Sequence, residues 1–271
     1  MILRLVGESP LLPAIFEVIA EHQSNILGGA MQNAIAILAN LIALKDTDFH
    51  LFYQQGVIEL VCGVFMEAAA LYLEKEERCR VKSCCALLLS LLDIIHCLLK
   101  HLSAVVRLAL QSNSEEDNEA AEKLLLINKP LTDLINLLIQ MLPCGDAEVY
   151  EDASQCVSLL TQLYDGDAAD HLTPKDLLSL ACSIQLHTEP RQQRLLLHVL
   201  KRLIGAIDSA GWSTEGGQSL VHMLQNLAHG NRSQPDNVVG SLAAEILKAV
   251  RCQDGTGTKS SSEASLPMHL M

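Results

Sequence analysis

The chain has few aromatic residues, 3% of 271, and that shortage is the first constraint on its fold. Layered β structures lean on aromatic and β-branched side chains. Leu and Ala dominate here instead, and both favour helices. Positive charge is also short: 19 Lys and Arg face 32 Asp and Glu, a formal net charge of −13. A surface of that sign repels phosphate backbones, so no direct nucleic-acid contact is expected. Charged residues amount to 19% and hydrophobic ones to 49%, which excludes general disorder and supplies a large core.

Other absences narrow the function. The nine cysteines (Cys62, Cys79, Cys84, Cys85, Cys97, Cys144, Cys156, Cys182 and Cys252) include no C-x-x-C pair. Most lie in apolar stretches where a thiol packs as a small hydrophobe, a usage that fits a reducing compartment. In MILRLVGESPLLP, Pro10 and Pro13 interrupt any secretory leader. The most apolar run, CCALLLSLLDIIHCLL, is broken by Asp93 and His96, below the ~20 residues of a bilayer crossing. The expected location is the cytoplasm or nucleus, with no membrane partner. No G-x-S-x-G, H-E-x-x-H, phosphate loop or Gly-rich dinucleotide loop is present. No enzyme activity, cofactor, metal or small-molecule substrate is therefore expected.

What is present is a repeated apolar quartet. It reads Ala34/Ile37/Leu38/Leu41, Cys84/Leu87/Leu88/Leu91, Ala153/Cys156/Val157/Leu160, Leu196/Val199/Leu200/Leu203 and Ala243/Ile246/Leu247/Val250. Offsets of 0, 3, 4 and 7 place all four residues on one helix face. Successive quartets start 50, 69, 43 and 47 residues apart, close to the ~40–47-residue spacing of helical-repeat units. The widest gap contains SNSEEDNEAAE, read as an acidic loop with room for an insertion.

Between the quartets lie partner helices with recognisable ends. Ser9 and Pro10 start one through about His22, and Gly56 opens GVIELVCGVFMEAAALYL. Lys129-Pro130 precedes LTDLINLLIQML, and Thr173-Pro174-Lys175-Asp176 combines an N-cap, a first-position Pro and a carboxylate at the dipole. Thr188-Glu189-Pro190 starts the next helix, and Ser213 or Thr214 caps the one containing QSLVHMLQNLA. The chain divides into a helical domain over 1–252 and a disordered Ser-rich tail over 253–271.

AIAILANLIAL, then DTDFHLFYQQ, then Gly56-Val57-Ile58-Glu59-Leu60-Val61 resembles an armadillo repeat boundary. Asn40 matches the Leu-x-Asn-Leu position of that family's third helix, where later units have Leu159, Arg202 and Ala249. The later hairpins look equally like HEAT units. The resemblance implies an all-α, right-handed armadillo/HEAT-like solenoid of about five helical hairpins, and stacked hairpins of this kind share one continuous core.

Few clusters suggest chemistry. Cys97 and His101, with His96 beside them, make half a zinc site at best. DGDAADHLTPKD lacks the Gly and Glu of a calcium loop and reads as an acidic loop ending in a helix cap. His187 and Cys182 lie five apart on a helix and make a poor nucleophile–base pair. Trp212 is read as a lid over a hairpin. One surface pattern stands out: Arg191, Arg194, His198 and Arg202 at offsets 0, 3, 7 and 11, with Lys201 alongside. This basic ridge would contact an acidic segment of a protein partner. Its alternative is a solvated helix face balanced by nearby carboxylates.

The function expected from the sequence is a non-enzymatic protein-interaction scaffold or adaptor using the solenoid's concave surface, as the resemblance implies. Its rivals are a segment or short isoform of a larger armadillo-like scaffold, such as a meiosis-inhibitor type protein, and an enzyme with a dispersed active site.

Overall fold

The computed structural model describes residues 10–74, 82–112, 114–230 and 238–256. No strand occurs among them; the protein is all-α there. The helices are α1 (Leu11–Glu21), α2 (Gly29–Ile42), α3 (Phe49–Gln54), α4 (Val57–Glu74), α5 (Lys82–Ser112), α6 (Glu115–Asn128) and α7 (Ile135–Met141). They continue as α8 (Ala147–Tyr164), α9 (Pro174–Leu186), α10 (Pro190–Leu203), α11 (Ser209–Ser213), α12 (Glu215–Gly230) and α13 (Val238–Thr256). A 3-10 segment, Lys129–Leu134, bridges α6 and α7.

Short polar side chains start several of these helices by accepting from free backbone N–H groups. The Asp48 carboxylate accepts from His50 N at 3.1 Å, and Asp146 accepts from Glu148 N and Val149 N at 3.0 and 3.2 Å. At α9 the expected cap forms a full capping box. Thr173 N and Oγ1 each donate to Asp176 Oδ2 at 2.7 Å, and Asp176 N returns a bond to Thr173 Oγ1. Gln140 Nε2 donates to the other Asp176 oxygen at 2.7 Å, so the buried Asp176 carboxylate ties α7 to the start of α9. Of the two candidates for the α12 cap, Thr214 serves, accepting from Gly217 N at 3.2 Å. Glu189 caps α10 without a side-chain bond. Ser9 lies outside the described residues.

The helices pack in two rows. In the first, α2, α5, α8, α10 and α13 touch in that order; in the second, α4 touches α7 and its 3-10 segment, α7 touches α9, and α9 touches α12. Cross-contacts pair α1 with α2, α4 with α5, α7 with α8, α9 with α10 and α12 with α13. All five quartet helices belong to the first row. The quartets on α5, α8, α10 and α13 are buried, and each fully buried Leu or Ile contributes about 1.5–3 kcal/mol of transfer free energy. On α2 the sequence reading is partly out of register: Ile37 is 46% exposed, while Ala34 and Leu38 of the quartet are buried together with Met31, Ile35, Ala39 and Ile42. Met31, Ala34, Ile35 and Leu38 repeat the same offsets three residues earlier.

Two connections differ from the sequence reading. The acidic stretch after Ser112 is no long loop. Ser114 caps α6, accepting from Asp117 N, and Glu115, Glu116 and Asp117 sit in its first turn, where the helix dipole favours carboxylates. The wide spacing between the second and third quartets therefore holds a whole extra helix. Second, α5 continues through Asp93 and His96 for 31 residues. Cys84–Ser112, with a mean hydropathy of 1.8, and Glu115–Met141 are long and apolar enough to cross a bilayer on those criteria alone. Burial inside the protein accounts for 50% and 44% of their apolar windows. The core helix of a packed protein has the same composition. Apart from the last turns of α13, the tail expected from Gln253 on lies outside the described residues.

Candidate functional site

Helix α10 buries Gln193, Leu196, Leu197, Val199, Leu200 and Leu203 between α8 and α13. The 3.6-residue period then sends Arg191, Arg194, His198 and Lys201 outward, all exposed, with Arg202 half-buried at the edge. The structure thus brings the five predicted residues onto one helix face, and it separates their roles. Lys201 Nζ lies 2.7 Å from Glu245 Oε1 of α13, a surface pair worth about 0.2–1 kcal/mol. Arg194 Nε donates to the Pro190 carbonyl at 3.3 Å. Arg191 borders a recess of about 210 Å³ with Tyr150, Ser154 and Gln155 of α8.

Glu151 of α8 and Glu189 line the recess beside Arg191, and further carboxylates cluster on α8 and α5. Glu148, Glu151 and Asp152 project from α8, and Asp93 approaches from α5. Burial, followed by the charges of Asp93, Glu151 and Glu148, pushes the Asp152 carboxyl up to about 6. The exposed face is consequently bipolar, with cations on α10 and carboxylates on α5 and α8. The acidic half was missed in the sequence, although Glu148, Glu151 and Asp152 carry the i, i+3, i+4 signal of one helix face. Asp93 is distant in sequence and joins them only through the packing of α5 on α8.

Raising a carboxyl above its ordinary value of 3.8 means the folded chain holds that proton more tightly than the unfolded chain. The Asp152 contribution therefore favours folding as pH falls through about 6, and that advantage is lost as pH rises through the same value. Asp152→Asn is expected to be more stable than the parent at pH 7.5, by less than about 1 kcal/mol given solvent screening. The difference should close below the ordinary carboxylate range. Urea unfolding at both pH values measures it.

The remaining candidates are placed as follows. His101 is drawn against Phe49, ring centroids 3.9 Å apart and 6° from parallel, and burial lowers its pKa. Burial and then Asp93 raise the Cys97 thiol, so it stays protonated. His187 stacks on Tyr150 at 3.4 Å. Burial, Glu151 and Glu189 push that tyrosine up to about 12, which keeps its hydroxyl a donor. Trp212 is buried under the start of α12. Asn40 Nδ2 donates to Ala36 O of its own helix at 2.8 Å.

The packing and the exposed face define an all-α chain carrying a charged face across its first row. No family model matches it, and no solved structure does. A mouse (Mus musculus) protein named Serine/threonine-protein kinase ULK4 is 44% identical to it over 232 residues. That alignment covers 84% of this chain and 18% of the mouse protein, so the chain spans under a fifth of the length of the curated relative it matches. This similarity overturns two sequence expectations, the non-enzymatic scaffold and the absence of any enzyme activity. Phosphoryl-transfer motifs are local, and the matched stretch is a small share of a protein named a kinase, so the motif search could not reveal that similarity.

Proposed function

We propose that this chain is a kinase-related helical region that governs how a serine/threonine kinase engages its protein substrate. The 44% identity to mouse kinase ULK4 over 232 residues carries this reading. Phosphoryl transfer depends on positioning as much as on chemistry, and a stack of helices with a bipolar face is suited to positioning. The partner contact is Arg191, Arg194, His198 and Arg202, offered to an acidic segment, with Lys201 held by Glu245. The two contact rows and their five cross-pairs favour an armadillo/HEAT-like solenoid of about five hairpins within 1–252, its right-handed sense implied by the family resemblance alone, followed by the tail over 253–271. The kinase-named relative and the reduced thiols fit the cytoplasm or nucleus.

The test uses the full-length mouse kinase, the same protein lacking its matched segment, and a chimaera carrying this chain in that place. Deletion should lower kcat/KM for a protein substrate at least tenfold, mainly through KM, and the chimaera should restore it. A chimaera with Arg194→Glu/Arg202→Glu should keep its helical circular dichroism and fail to restore KM. Unchanged kcat/KM on deletion would sink the proposal. Restoration by the charge-reversed chimaera would remove the ridge from it.

A further inference from the structure

A second surface, built from helices other than α10, has the features of a docking groove. Helix α6, the extra helix in the wide repeat gap, lies along α5 and leaves two contiguous grooves beside it. One, about 610 Å³, is walled by Ile58, Leu124 and Ile127 and floored by Tyr53 and His101. The other, about 570 Å³, runs over Ile135 and Ala168 and is rimmed by Asp133, Asp167 and Asp170. Leu126 and Pro130 border both. Leu126 is 75% exposed, an apolar knob standing between two cavities.

The floor is rigid. His101 is stacked on Phe49, and Asn128, fully buried, donates from Nδ2 to the Tyr53 hydroxyl at 3.2 Å and to Leu124 O at 2.9 Å. The rim is acidic. Glu59 joins the three aspartates, against Lys123 and Lys129. Lys129 is already engaged: its Nζ donates to the Asp167 carbonyl at 3.1 Å and lies 5.4 Å from the centre of the Tyr164 ring.

We propose that this double groove docks a basic amphipathic helix of a partner protein, its apolar anchors seated on either side of Leu126 and its Lys or Arg residues facing Asp133, Asp167 and Asp170. Helix-in-groove recognition lays the i, i+3/i+4 and i+7 anchors of an amphipathic helix into an apolar groove, and cavities of this size accept such side chains. The described residues offer no strand edge for an extended peptide to pair with. The carboxylate rim, in a chain of net charge −13, selects a cationic partner by steering and by repelling acidic ones.

The test measures binding of a fluorescent Leu/Lys helical peptide, leucines on one face and lysines on the other, to the intact chain by anisotropy. A peptide with glutamates in place of the lysines is the control. The Lys peptide should bind in a salt-sensitive manner and the Glu peptide at least tenfold more weakly. Leu126→Asp, at a site too exposed to unfold the chain, and Asp133→Lys/Asp170→Lys should each weaken Lys-peptide binding at least tenfold. Equal binding of both peptides, or binding that survives both variants, overturns the proposal. So does a wild-type dimer in sedimentation that Leu126→Asp makes monomeric, since the groove's occupant is then a second copy of the chain.

Discussion

Alanine at Gly217 is expected to lower the unfolding free energy by about 2–3 kcal/mol, although the residue sits in a helix where alanine is intrinsically the better former. The cause is backbone proximity. A Cβ there would fall inside the contact distance of the Gly211 carbonyl oxygen and only 2.7 Å from Trp212 Cα, neither of which can rotate away. The neighbouring Gly216 faces Leu178 N at 3.1 Å and the Pro174 carbonyl, so the pair lets α12 lie close against the start of α9 and the end of α11. Gly63, inside α4, provides the control: nothing stands within 4 Å of a Cβ built on it. Gly63→Ala should raise stability by about 0.5–1 kcal/mol. Thermal or urea unfolding of the two variants separates steric from propensity effects. If both changes stabilise, the close approach of α12 is wrong.

The helical content and the packing faces were legible in the sequence because they are local. A quartet at offsets 0, 3, 4 and 7 needs no knowledge of distant residues, and four of five such quartets are buried as written. The α2 quartet failed because Ile37 and Leu41 also match the period. Only packing against α1 and α5 decides that Met31, Ala34, Ile35 and Leu38 form the inner face. The start of α6 was read as loop because its first turns are dominated by carboxylates, which resemble a solvated segment until Ser114 is recognised as a cap and the charges as dipole partners. The basic ridge was readable as a helix face. Its acidic counterpart requires Asp93 of α5 beside Asp152 of α8, and the double groove requires α3, α5 and α6 in one place. The similarity to the mouse protein named a kinase left no motif to find; it is spread over 232 residues.

Phe65→Ala should cost about 3–5 kcal/mol, the largest loss expected from any single truncation in this chain. Phe65 is the largest fully buried side chain among the described residues, at 0% exposure, in the middle of α4. Helix α4 contacts α5 in the first row and both the 3-10 segment and α7 in the second, so a void there loosens a junction of the two rows. Aromatic residues are scarce in this core, and the surrounding aliphatic helices can collapse only partly into the space, leaving a cavity penalty beyond the lost transfer energy. Phe65→Leu, which keeps most of the volume, should lose about 1.5 kcal/mol or less. The denaturant midpoints of the two variants, taken with an unchanged slope, measure both effects. A Phe65→Ala loss no greater than that of Phe65→Leu would mean that α4 does not pack in the core as described.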